Sequence, residues 1–131
     1  PLNCFSSIFH FPKFFYAPLM VMPTVNGPNL PDHVSYASGV FTVDLHAVYS
    51  NQFGMTGETA PVKSAVKNPG AITNLPVIAA AELDFFITYF DNTVFDPATI
   101  AVTNSGVLTY QILPTAVVTE KTYMNITFKV K

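Results

Sequence analysis

Six of the chain's eleven prolines, Pro1, Pro12, Pro18, Pro23, Pro28 and Pro31, fall within its first 31 residues. Proline has no amide hydrogen, and its ring clashes with the preceding turn of a helix, so no long helix can run through this segment. The same stretch holds five of the twelve phenylalanines, Phe5, Phe9, Phe11, Phe14 and Phe15, followed by Tyr16. An extended arm studded with aromatic rings is the expectation. Burying a Phe side chain is worth roughly 1.5–3 kcal/mol relative to leaving it in water. The arm is therefore expected to pack, either on its own domain or on a neighbouring copy, with its rings forming the interface. Residues 1–31 read as arm and linker, and residues 32–131 as the folded domain.

Strand signals begin after the turn cluster Asn26-Gly27-Pro28-Asn29-Leu30-Pro31-Asp32. Phe41, Val43, Leu45, Ala47 and Tyr49 alternate with Thr42, Asp44, His46, Val48 and Ser50, the period of two expected of a strand with one buried face. Thr122, Met124, Ile126, Phe128 and Val130 form a second such face at the end of the chain. Leu83 to Phe90 is apolar on both faces, as in a central strand or one under a partner. Thr99–Thr103 and Val107–Leu113 flank Asn104-Ser105-Gly106, a three-residue hairpin turn with glycine at the left-handed position. Asn68-Pro69-Gly70 marks another turn, and Ala79-Ala80-Ala81-Glu82 is the one short helix expected.

Short strands separated by Pro, Gly and Asn turns predict an all-β fold, an antiparallel two-sheet sandwich with an extended N-terminal arm. The immunoglobulin-like arrangement is the expected form, without the Cys–Trp–Cys signature of true immunoglobulin domains. The predicted core is Phe41, Val43, Leu45, Leu108, Tyr110, Ile112, Met124, Ile126 and Phe128.

Composition narrows the function. Only 11% of the residues are charged, the net charge is −2, all six cations are lysine, and mean hydropathy is +0.36. Nucleic-acid binding requires clustered cations, usually with arginine forks, and phosphoryl transfer requires an arginine clamp or a Walker lysine. Neither is present. The N-terminal stretch is broken by proline well short of the ~20 apolar residues of a membrane span. A lone Cys4 permits no internal disulfide, and without a cation beside it nothing marks it as a nucleophile. A Lys-only, Thr- and Asn-rich chain that begins at Pro1 fits a processed, secreted protein.

Catalytic and cofactor signatures are absent from the sequence. His10, His33 and His46 lack metal-ligand spacing. Asp44 and His46 are expected on the polar face of a strand. Asp91, Asn92 and Asp96 are the best calcium candidates, although their spacing matches no known loop pattern and turn formation explains them as well. Glu58, Glu82, Asp84, Asp91 and Asp96 offer carboxylate pairs for a small hydrolase, with none singled out. Tyr36, Tyr49, Tyr110 and Tyr123 are candidates for stacking on sugars, and Asn125-Ile126-Thr127 is a glycosylation sequon expected to face outward. The leading expectation is a non-enzymatic structural subunit of an extracellular or virion assembly, such as a filament, fibre or capsid-surface protein. It would need no cofactor and no metal, and would form a homo-oligomer through Phe5, Phe9, Phe11, Phe14, Phe15 and Tyr16. The alternative is a secreted module that binds carbohydrate or another surface, and the third is a hydrolase.

Overall fold

The computed structural model describes residues 13–56 and 65–131. Among them the chain is mostly strand, arranged as two antiparallel sheets with one short helix, an all-β and sandwich-like architecture. The strands are β1 (Phe14–Tyr16), β2 (Val34–Ala37), β3 (Val40–Asp44), β4 (Leu83–Phe90), β5 (Ala101–Val102), β6 (Val107–Tyr110) and β7 (Met124–Val130). One sheet has the order β1-β7-β4 and the other β2-β3-β6-β5. The immunoglobulin arrangement places strands A, B, E and D in one sheet and C, F and G in the other. Here, numbering the domain's strands from β2, the four-stranded sheet runs first-second-fifth-fourth, and the other sheet pairs the third and sixth strands, with the arm strand β1 beside the sixth.

The hairpins follow from local chemistry. Ser38 and Gly39 both take positive φ, 51° and 84°, which a two-residue turn needs to match the twist of its strands. Gly106, with φ +86°, closes the β5–β6 hairpin as expected, and its N–H donates to the Thr103 carbonyl.

The alternation beginning at Phe41 does not continue as strand. Asp44 stops it: the Asp44 carboxylate accepts from the Ala47 N–H at 3.0 Å and caps helix α1 (Leu45–Phe53). Accepting one of the orphaned amides at a helix start makes Asp a preferred first residue. Asp44 and His46 therefore do not share a strand face. Leu45 and Tyr49, four apart, place two buried side chains on one helix face, with Phe53 one turn further on packed against the core. The expected helix at Ala79–Glu82 is a single 3-10 turn, Ala80–Glu82. Replacing Asp44 by alanine should destabilise the protein by about 1 kcal/mol, as loss of such a cap usually does, which chemical denaturation monitored by circular dichroism would measure.

The core contains Phe41, Val43, Leu45, Leu108, Tyr110, Ile126 and Phe128 of the predicted set, while Ile112 and Met124 pack against it partly buried. Tyr49, Leu83, Val94 and Phe95 complete it. Phe41 stacks on Tyr110 at 5.3 Å, and Phe128 meets Phe15, Tyr49 and Phe85 edge-on at 5.0–5.6 Å. Phe15 and Tyr49 in turn meet at 5.6 Å, so rings from β1, β4, β7 and α1 interlock.

The described part of the expected arm lies on its own domain. β1 pairs with β7, and beyond it the Ala17 N–H donates to the Ile126 carbonyl. The Gln52 amide donates to the Leu19 carbonyl, and the Tyr110 hydroxyl donates to the Pro23 carbonyl at 2.7 Å. Strand alternation splits the aromatic run. Phe15 points inward, while Phe14 and Tyr16 point outward and are 66% and 72% exposed. Phe14 is therefore not buried against its own domain. Phe5, Phe9 and Phe11 lie outside the described residues.

Candidate functional site

The polar candidates separate rather than converge. Asp91 opens the loop after β4. Its Oδ1 accepts from both the N–H and the hydroxyl of Thr93, at 3.1 and 2.6 Å, and its Oδ2 accepts from the Thr122 hydroxyl at 2.9 Å. The Thr93 hydroxyl foremost, then the Thr93 N–H, the Thr122 hydroxyl and the Lys121 charge, hold this carboxyl below its ordinary value of 3.8 against the opposing effect of burial. Asp96 Oδ1 accepts from the Ala98 N–H, a turn of the same kind. Both carboxylates are thus committed to their own turns, and Asn92 points into solvent. Among the described residues no three of His, Cys, Asp or Glu stand close enough together to hold a metal ion.

Asp91 has a structural role. Its bonds to Thr93 and Thr122 fix the loop that turns Val94 and Phe95 into the core. Because its folded-state pKa is depressed, its contribution to stability is complete at neutral pH. That contribution declines as pH drops below the ordinary value of 3.8 and is gone beneath the folded value. Asp91→Asn should lower the urea midpoint at pH 7 and flatten its decline between neutral pH and pH 3. An unchanged midpoint at pH 7 would contradict this role.

The other candidates are also placed. The His46 Nε2–H donates to the Ile78 carbonyl at 2.7 Å, while the Ile78 N–H donates to the Tyr49 hydroxyl at 2.8 Å. Together these two side chains strap the segment before β4 onto α1. Asn51 Nδ2 donates to His33 Nε2. Glu82 ends the 3-10 turn and Asp84 lies in β4, both apart in sequence from the Asp91 loop. Cys4, His10 and Glu58 lie outside the described residues. Tyr49 and Tyr110 are buried and cannot stack on a sugar, and burial pushes the Tyr110 phenol up. Tyr36 packs on Phe41 at 4.7 Å. The loop from Val21 to Asp32 surrounds a hollow of about 930 Å3 whose lining residues include one carboxylate, Asp32, and no histidine, cysteine or lysine.

The most distinctive surface is the outer face of the β1-β7-β4 sheet. Pairing places Tyr16, Thr127 and Phe86 in one row and Phe14, Lys129 and Asp84 in the next, with Tyr89 opposite Asn125. The Tyr89 and Tyr123 rings meet at 4.7 Å, tilted by 34°, and the Tyr89 hydroxyl donates to the Lys121 carbonyl. Phe14, Tyr16, Phe86, Tyr89 and Tyr123 are all exposed. They flank a polar central strip of Asn125, Thr127 and Lys129. Sequence reasoning found Tyr123 and the sequon Asn125 but could not assemble this face, because its rings come from three separate parts of the chain. The available signal was the doubly apolar run of β4.

Among the described residues β4 is an edge strand and β7 the central one. Of the two expected readings of its doubly apolar run, a central strand or a strand under a partner, the first does not hold. Comparison of the chain with protein-family models, with curated proteins and with solved structures gave no match. No helix among the described residues is long and apolar enough to cross a membrane.

Proposed function

We propose that the chain is a non-enzymatic structural subunit of an extracellular or virion assembly, and that it self-associates through its aromatic N-terminal segment and the sheet face that this segment helps to build. The observation that carries this reading is the concentration of five exposed aromatic side chains on the β1-β7-β4 face. Singly exposed apolar residues are ordinary, whereas several exposed rings gathered on one sheet face point to an interaction surface. A charged fraction of 11% and a net charge of −2 oppose association of identical copies only weakly. Phe5, Phe9 and Phe11 of the N-terminal segment are the remaining rings proposed as interface.

Sedimentation velocity tests the proposal. The full chain should form species heavier than the 14.3 kDa monomer, and the double variant Phe14→Ser/Tyr16→Ser should shift the population toward monomer. Because both side chains point to solvent, the variant should keep its fold, which circular dichroism would verify. A full chain that remains monomeric at all concentrations would overturn the reading.

One observation favours a second reading, binding of surface carbohydrate. The Tyr89–Tyr123 pair lies beside Asn125, exposed aromatic rings next to a hydrogen-bonding group of the kind sugars use. Binding to a glycan array, abolished by Tyr123→Ala, would support it. A glycan attached at Asn125 would itself cover the same rings.

A further inference from the structure

We infer that the outer edge of β4 is the pairing edge of this assembly, and that its occupant is β4 of a second copy, joined antiparallel about a two-fold axis so that two three-stranded sheets become one. The inference rests on the self-association proposed above and names the contact that makes it.

Backbone parity exposes the edge. The Lys131 N–H donates to the Glu82 carbonyl, so the bonded pairs of the β4–β7 ladder recur at Asp84–Lys129 and Phe86–Thr127. The backbone groups of Leu83, Phe85 and Ile87 consequently point away from β7. Among the described residues no strand pairs with that side.

This edge lacks the shortness, proline and lysine of the other edges. Natural sheets blunt their edges with these, with other charges and with bulges, and of the last two β4 carries Asp84 and one bulge past Ile87. β1 has three residues between Lys13 and Pro18, β2 has four and is preceded by Pro31, and β5 has two. β4 has eight residues with no proline and no lysine, and its regular run ends only at the bulge between Ile87 and Tyr89.

A second copy fits the side chains. In the register centred on Phe86, Phe86 faces its own symmetry mate, Phe85 faces Ile87, and Asp84 faces Thr88. Phe85 and Ile87 then exchange hydrogen bonds across the axis. The two Phe86 rings occupy a non-bonded position, where opposed side chains approach most closely. No like charges oppose one another. The isologous contact closes on itself and continues the aromatic face across the dimer.

Hydrogen exchange on the full chain reads the edge directly. At concentrations where it associates, the Phe85 and Ile87 amides should exchange slowly, and on dilution to monomer they should exchange fast. The Asp84 and Phe86 amides, bonded to β7, should be slow in both states. Phe86→Lys, which places two cations face to face on an exposed position, should raise the dimer dissociation constant by about tenfold or more. Protection should persist in the triple variant Phe5→Ser/Phe9→Ser/Phe11→Ser at concentrations where sedimentation shows that it still associates. If the associated variant loses protection, the N-terminal segment is the occupant and the β4–β4 pairing is wrong. Oligomers with fast Phe85 and Ile87 amides would overturn the edge contact while leaving self-association standing. Protection with unaltered affinity in Phe86→Lys would overturn the register. A chain that stays monomeric would overturn both readings.

Discussion

Replacing Phe128 by alanine should destabilise the protein by about 3–5 kcal/mol, the usual range for removing a buried aromatic ring from a core. Phe128 is fully buried in the central strand β7. Its ring is met edge-on by Phe15 from β1 at 5.6 Å, Tyr49 from α1 at 5.4 Å and Phe85 from β4 at 5.0 Å. Removing it strands three rings on three different elements around one cavity. None can collapse into the space without leaving its own partners. Equilibrium unfolding in urea would measure the loss. A cost below about 1 kcal/mol would mean that the ring does not occupy the centre of the core.

The second large effect is expected at Gly106. Its φ of +86° is strained for any residue with a β-carbon, and an alanine Cβ there would lie 2.6 Å from Cζ of Phe85. The backbone strain and the overpacking should each cost about 1–3 kcal/mol. The site is sensitive for another reason: the Gly106 carbonyl accepts from the Leu45 N–H at the start of α1, so movement of the turn disturbs the helix. Gly106→Ala should therefore lower the urea midpoint sharply. Adding Phe85→Leu should recover the steric part and leave the backbone part, which a double-mutant cycle separates. Additive effects of the two substitutions would show that the ring and the turn are not coupled.

Much of this fold is legible in local patterns. Leu83–Phe90 and the closing strand Met124–Val130 are readable from their aromatic and β-branched content, and the turn at Gly106 from the need for positive φ. The helix is not, because Leu45, Ala47 and Tyr49 satisfy a period of two while Leu45, Tyr49 and Phe53 satisfy a spacing of four. Asp44 as a cap and Gly54 at the helix end were the deciding signals. Val94 and Phe95 are buried from within a loop, where periodicity carries no information and the Asp91 hydrogen bonds position them. The exposed aromatic face was hidden for a different reason. Whether β4 lies in the middle of a sheet or at its edge depends on where β7 inserts, a non-local choice that neither strand encodes alone.

That insertion also orders the events of folding. β7 comes after both β1 and β4 along the chain, yet it lies between them and supplies the ladder partners of both. During synthesis β2, β3, β5 and β6 can complete their sheet first. β1 and β4 have no mate until residues 124–130 emerge. Contacts between opposite ends of a chain form slowly, because their closure entropy is lost before any pairing offsets it. Through that interval no other strand among the described residues pairs with β4 on either side. A nascent chain would then be at its most adhesive just before β7 arrives, and a neighbouring copy on the same message would be the nearest substitute for it.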